Sequence, residues 1–305
     1  MPKVSILLTC YNHLAYLPAA LDGILNQTFR DYEIIAIDDG STDGTREWLS
    51  SRPEPMVRMF NEKNLGTYGS LNVALGKASG DYVAILNDDD LWAPEKLERQ
   101  LALFESHPKV GLVHTDGKFI DGDCATVEGS PLGFEFPRTE TGDVLLSLIY
   151  ANKIIASAVL VKRECFDRLG GFNENYFGSG DWEMWMRIAE VYDVGFVPEP
   201  LTYYRVHGAN ASHKLDRIWR DDEMLREWIA SRATEYEAKS YDRRQLLCAL
   251  AHNQACLGTV KTLNGDSGAG RAAYARSIKL EPGRVKSYLR YAATFLPPGL
   301  FRKLL

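Results

Sequence analysis

The sequence predicts an α/β protein: a mainly parallel, Rossmann-like central sheet flanked by helices, followed by a smaller all-helical region. Three observations carry this expectation. Short unbroken apolar runs recur at residues 4–9, 32–37 and 82–86, as in strands buried on both faces. Segments of helical spacing separate them, as right-handed βαβ units require. After about His213 the strand-like runs stop and charged helical periodicity takes over.

Each element follows in order. The first strand leads to a helix over 14–26, with Leu14, Leu17, Leu21, Ile24 and Leu25 on one face. The second strand ends at Asp38-Asp39-Gly40-Ser41, and Thr42-Asp43-Gly44 opens a helix through Trp48 and Leu49. A short strand over 57–61 and a helix over 68–78 precede the fourth strand, which ends at Asn87-Asp88-Asp89-Asp90. Pro94 opens a helix over 94–105, and 110–114 reads as a strand. The Gly-, Pro- and charge-rich stretch 121–142 reads as a loop over the rim of the sheet. Residues 145–161 are the longest apolar stretch, but Asn152 and Lys153 interrupt it and it is short for a membrane span. A helix followed by a core strand over 154–161 is expected instead. A helix over 181–190 and a strand over 194–197 complete a domain expected at 1–213.

The region 214–305 is expected to be helical. Ile218, Trp219, Leu225, Trp228 and Ile229 anchor the stretch 215–238. Residues 241–282 carry Gly258, Gly265, Asp266, Tyr274 and Pro282 near the spacing of one tetratricopeptide-like helix pair. A single copy forms no solenoid, so it is expected to pack on the first domain or on a second subunit. The apolar tail 295–305, with two cations, suits packing on protein more than contact with a membrane surface.

The 305 residues carry 35 basic and 41 acidic side chains, a net charge of -6. This argues against general nucleic-acid binding. Five scattered cysteines without a Cys-x-x-Cys point to a reduced, cytoplasmic setting with no zinc or disulfide framework. No signal peptide is recognisable before the first strand.

The chemistry concentrates at strand ends. Three adjacent carboxylates, Asp88 to Asp90, repel one another at the tip of a core strand and need a positive partner. A divalent cation such as magnesium or manganese suits such hard oxygen ligands; a solvated acidic turn is the plainer alternative. Asp38 and Asp39 fall on the same C-terminal rim, where ligands gather in open α/β sheets. An acidic turn alone does not predict two such clusters.

Val4-Ser-Ile-Leu-Leu-Thr-Cys-Tyr-Asn12, Ile37-Asp-Asp-Gly-Ser-Thr-Asp43, Asn64-Leu-Gly66 with Asn72, and Gly80-Asp-Tyr-Val-Ala-Ile-Leu-Asn-Asp-Asp-Asp90 together resemble family-two glycosyltransferases of the GT-A fold. The resemblance covers about residues 3–210; each motif alone is weak, and their order and spacing are specific. It implies an inverting, non-processive enzyme with a uridine or thymidine diphosphate sugar as donor. It further implies Mn2+ or Mg2+ as cofactor, and a glycan, lipid-linked glycan or protein acceptor, in surface polysaccharide or glycan biosynthesis. Membrane helices and the Gln-x-x-Arg-Trp motif of processive synthases do not follow the match. A peripheral place at the inner membrane face, or a homodimer through the C-terminal helices, fits this picture.

By resemblance Asp89 binds the metal, Asp88 contacts the donor ribose or the metal shell, and Asp90 orients the loop. Asn87 stands where many relatives have aspartate. Asp39 would read the nucleobase or ribose, with Thr9, Tyr11 and Asn64 around the nucleotide sugar; Asp38 suits an Asx-turn. Asp181 is the expected general base, although its helix N-terminus equally suits a cap. Gly180 occupies the family's glutamate position. Trp182 and Trp185 form either an apolar wall for a sugar or core, Glu183 is a reserve base, and Arg187 buttresses the site or binds phosphate. Asn152, Ser157 and Gly170-Gly171-Phe172 belong to the acceptor side. Arg205 would pair with the diphosphate, and His207 is a metal ligand, a phosphate donor or a structural histidine.

Two other classes stay open. A nucleotidyltransferase would show a Gly-rich basic loop after the first strand, which Thr9-Cys-Tyr-Asn-His13 is not. A catalytically silent nucleotide-sugar-binding module would explain Asn87 and Gly180. A glycoside hydrolase also pairs carboxylates but needs no nucleotide pocket.

Overall fold

The structure is a computed structural model that describes residues 1–208, 210 and 214–303. The domain boundary expected at His213, and Leu304 and Leu305 of the tail, lie outside them. By internal contacts the chain forms two compact units: Met1–Val144 with Asn152–Asn210, and Leu145–Ala151 with Ala211–Leu305.

The first unit opens with β1 (Val4–Cys10), α1 (Leu17–Leu25), β2 (Tyr32–Asp38), α2 (Thr45–Ser51), β3 (Val57–Phe60), α3 (Gly66–Leu75) and β4 (Tyr82–Asn87). All of β1 is buried, as is the centre of β4. That is why these runs lack the polar alternation of a half-exposed strand. α1 lays Leu17, Ala20, Leu21 and Ile24 into the core beside Ile6, Leu8, Ala84 and Leu86.

Then follow β5 (Leu91–Trp92), α4 (Lys96–Ser106), β6 (Val110–Ile120), α5 (Leu145–Tyr150), a 3-10 turn (Ala156–Ala158), β7 (Val159–Lys162), α6 (Arg163–Leu169), α7 (Gly180–Ala189) and β8 (Asp193–Arg205). The eight-stranded sheet has the order β3-β2-β1-β4-β7-β6-β8-β5. β3, β2, β1 and β4 are mutually parallel. The other half is mixed: β7 runs antiparallel to β4 and β6, β6 is parallel to β8, and β5 is antiparallel to β8.

β6 and β8 are far longer than the apolar runs at 110–114 and 194–197. Their outer halves pair Asp116 with Pro200 and Lys118 with Tyr203, across register shifts around Asp116. Gly117 makes this close pairing possible, because a Cβ there would lie 2.1 Å from the Thr202 carbonyl oxygen. α5 is followed by the 3-10 turn and the buried strand β7, as expected, but α5 itself belongs to the second unit.

In that unit α8 (Leu215–Ser231), α9 (Ala233–Glu237), α10 (Arg243–Leu263), α11 (Ser267–Leu280), α12 (Val285–Ala293) and α13 (Pro298–Arg302) follow. Asp242 and Asp266 cap α10 and α11, accepting from the backbone N–H of Gln245 and Ala269. The two helices close over Gly258, where a Cβ would come 2.9 Å from the Tyr274 ring. Among the described residues no helix is long and apolar enough to cross a membrane, and the five cysteines are unpaired.

Candidate active site

Sheet register brings the acidic motifs together. Cys10 pairs with Asp38 and Thr9 with Asn87. Tyr11, Asp39 and Asp88, each one residue further on, therefore emerge side by side on one rim.

Asp88 turns toward the loop after β1. Its Oδ2 accepts from the Tyr11 N–H at 2.8 Å, and its Oδ1 lies 2.9 Å from His13 Nδ1. Burial pushes its carboxyl above the ordinary range, against the stabilising His13 contact. Burial also disfavours the His13 cation, but the hydrogen bond and charge of Asp88 outweigh it, and the imidazole pKa rises.

Asp89 Oδ2 lies 3.1 Å from His207 Nε2. One ligand atom each from His13, Asp89 and His207 lie within 4.8 Å of one another. One carboxylate and two imidazoles are a donor set that fits a divalent ion taking mixed nitrogen and oxygen ligands. The ring centroids of His13 and His207 are 5.0 Å apart, edge to face, and Tyr16 packs 5.1 Å from His207. Asp90 is buried inside the loop: its oxygens accept from Ser157 Oγ at 2.5 Å and the Arg205 N–H at 2.9 Å. Burial first, then the neighbouring Asp89 charge, raises its pKa well above the usual range.

On the β2 side, Asp38 forms the expected Asx-turn with the Ser41 N–H and also meets Arg46. Asp39 accepts from the N–H groups of Leu65 and Gly66 and from Asn61 Nδ2, at 2.7, 3.0 and 2.9 Å. It thereby fixes the turn that carries Asn64, whose own Oδ1 accepts from the Gly66 N–H. Tyr11 is exposed, whereas Thr9 is buried with its hydroxyl on Asn87 Oδ1.

Asp181 stands in the first turn of α7. Its Oδ1 accepts from its neighbour's Trp182 N–H at 2.7 Å and faces Tyr68 OH at 3.4 Å, and its Oδ2 faces Asn152 Nδ2 at 3.3 Å. Burial pushes its pKa up to about 6, against these hydrogen bonds. A carboxylate so poised is ionised near neutrality yet basic enough to take a proton.

Residues 5–139 match the family model described as glycosyl transferase family 2. Over those residues the chain is similar to glycosyl transferase family 2. An uncharacterised glycosyltransferase of Nostoc is 29% identical over 218 residues, 68% of this chain and 66% of the relative. Chondroitin synthase of Escherichia coli is 29% identical over 226 residues, 71% of this chain but 31% of that protein. Among solved structures, S. aureus TarS superposes with a TM-score of 0.64 at 19% identity, covering 93% of this chain and 82% of the other. A Pyrobaculum calidifontis mannosyltransferase, in complex with GDP-Man and Mn2+, gives 0.60 at 22% identity over 99% and 83%. The fold is GT-A.

Several expected site residues are placed otherwise. Asp88 is not in the ligand-offering trio, and His13 joins instead; the Asp88 oxygens meet the Tyr11 N–H and His13. His13 carries no sequence signal beyond its place just past the first strand end. Arg205 does not reach toward a diphosphate. It is 1% exposed, stacks on Tyr16, and donates to the carbonyls of Asp89, Asp121 and Gly122. Glu183 is no reserve base: both its oxygens bind Arg187, at 2.8 and 2.9 Å. Arg187 also holds the Leu169 and Gly171 carbonyls and so buttresses the loop at 169–171. Trp182 and Trp185 are buried and leave no broad face for a sugar. Helical spacing alone did not separate wall from core.

Proposed function

We propose that this domain transfers a sugar from a nucleoside diphosphate sugar to an acceptor hydroxyl, inverting the anomeric centre in one displacement. The observation that carries this reading is the His13–Asp89–His207 cluster on the strand-end rim shared with Asp39. A divalent ion held there would neutralise the donor diphosphate. Two imidazoles beside one carboxylate favour manganese over magnesium, which prefers oxygen ligands. Asp39 and the 61–66 turn shape the nucleotide side, with Tyr11 exposed beside them.

In this reading Asp181 removes the acceptor proton while Asn152 and Tyr68 hold its carboxylate. Asp90 and Arg205 do not meet the donor; they lock the loops that carry Asp89 and His207. The first unit is the catalytic domain, with a uridine, thymidine or guanosine diphosphate sugar as donor and a glycan, lipid-linked glycan or protein as acceptor. Thermal-shift measurements with these nucleotides and their sugars, with and without Mn2+, test it. Stabilisation by a nucleoside diphosphate that needs Mn2+, and that Asp89→Ala abolishes, is the expected result. Equal stabilisation in Asp89→Ala contradicts the metal assignment.

A further inference from the structure

Tyr68 lies in the first turn of α3 and is 5% exposed. Its ring stacks on Phe172 at 5.8 Å, and its hydroxyl lies 3.4 Å from Asp181 Oδ1. Gly180, the residue before Asp181, lies against the same ring: a Cβ there would come within 2.8 Å of Cδ2 and Cε2. Its φ lies outside the left-handed region, so space, not backbone freedom, is what glycine supplies.

We infer that Tyr68 is the positioning residue of the Asp181 base, and that glycine at 180 is what admits its ring. The inference rests on reading Asp181 as the base. The family resemblance places a glutamate at 180. That side chain would expel the tyrosine ring and set a second negative charge beside Asp181. Here the neighbour is a phenol, a neutral donor near pH 7 that stabilises the aspartate anion without competing for a charge.

The ring is held independently of Asp181. Asn72, one turn further along α3, donates to the Phe172 carbonyl at 2.9 Å and accepts from the Phe172 N–H at 2.8 Å. That clamp fixes the ring on which Tyr68 stacks. The start of α3 is tied to Asp39 through the Leu65 and Gly66 N–H groups. The N-terminal turn of α3 thus joins the nucleotide-side carboxylate to the partner of the base.

The test needs no ligand for its main readout. The full chain is labelled at aspartate Cγ with 13C, the Asp181 signal is assigned by its loss in Asp181→Asn, and its midpoint is followed with pH. Tyr68→Phe keeps the ring packing and removes the donor. A 3.4 Å contact is long for a hydroxyl donor, so the expected rise of the midpoint is about half a unit or more. Gly180→Ala, which displaces the ring but keeps the hydroxyl, should raise it too. An unmoved midpoint in Tyr68→Phe overturns the inference. Turnover of UDP-GlcNAc with Mn2+ separates this from failure of the base assignment. Wild-type turnover by Asp181→Asn removes the base and its positioning residue together. An inactive Asp181→Asn with an unmoved Tyr68→Phe titration removes the positioning role alone.

Discussion

His207 Nε2 lies 3.1 Å from Asp89 Oδ2 across 118 residues of chain. Strand β8 makes this possible by running on to Arg205, whose N–H bonds to Asp90 and whose side chain donates to the Asp89 carbonyl. His13 approaches from the loop after β1. If the three act as one ligand set, each removal should weaken Mn2+ binding, read from the free-ion electron paramagnetic resonance signal. Asp89→Ala should cost the most. His207→Ala and His13→Ala should each cost at least the roughly 10–100-fold that loss of an outer-shell partner costs. Unchanged affinity in His13→Ala removes it from the set.

Asp181 titrates at about 6 because burial penalises its anion. As a base it works deprotonated, so kcat/KM should fall as pH drops through about 6. The linkage has the opposite sign to that of a salt-bridged aspartate. A raised native pKa means the native state binds the proton more tightly, so this group's contribution to stability declines as pH rises from about 4 to about 6. Asp181→Asn should therefore melt at an equal or higher temperature than wild type at pH 8, while losing transfer. A marked loss of Tm at pH 8 would assign Asp181 to stability.

Glu183 and Arg187 form a two-point ion pair with little exposure on either side. Glu183→Gln leaves the half-buried guanidinium short of its counter-charge, a loss of about 1–3 kcal/mol. Denaturant unfolding reads that cost. The acid limb of the rate profile should stay in place; a limb that moves would make Glu183 part of the base.

In the second unit, Gly258→Ala should destabilise by about 1–3 kcal/mol, the usual cost of overpacking. The new methyl meets the Tyr274 ring at 2.9 Å, and Tyr274 is held by a 2.7 Å bond between its hydroxyl and Thr259 Oγ1. Chemical denaturation followed by far-ultraviolet circular dichroism checks it.

The parallel half of the sheet was legible because β1, β2 and β4 are buried apolar runs punctuated by Asp38-Asp39 and Asn87 to Asp90. Their shared rim followed from topology. The outer half was not, because β6 hides in polar residues after His114 and β8 runs through Pro198 and Pro200, which read as breaks. Residue type also misdirects where partners decide the role. Arg205 and Glu183 have the charges of ligand and base, yet their hydrogen bonds go to backbone carbonyls and to Arg187. Only the long-range contact with Asp88 and the approach to Asp89 single out His13.

The central claim is metal-assisted cleavage of a nucleotide sugar between the sugar and the diphosphate. The most direct measurement is the product released from UDP-, dTDP- and GDP-sugars with and without Mn2+, resolved by ion-exchange chromatography. The account predicts a nucleoside diphosphate, formed only with the metal and lost in both Asp89→Ala and Asp181→Asn. Release of a nucleoside monophosphate or pyrophosphate, or metal-dependent binding of every donor without turnover in the presence of acceptor glycans, would contradict it.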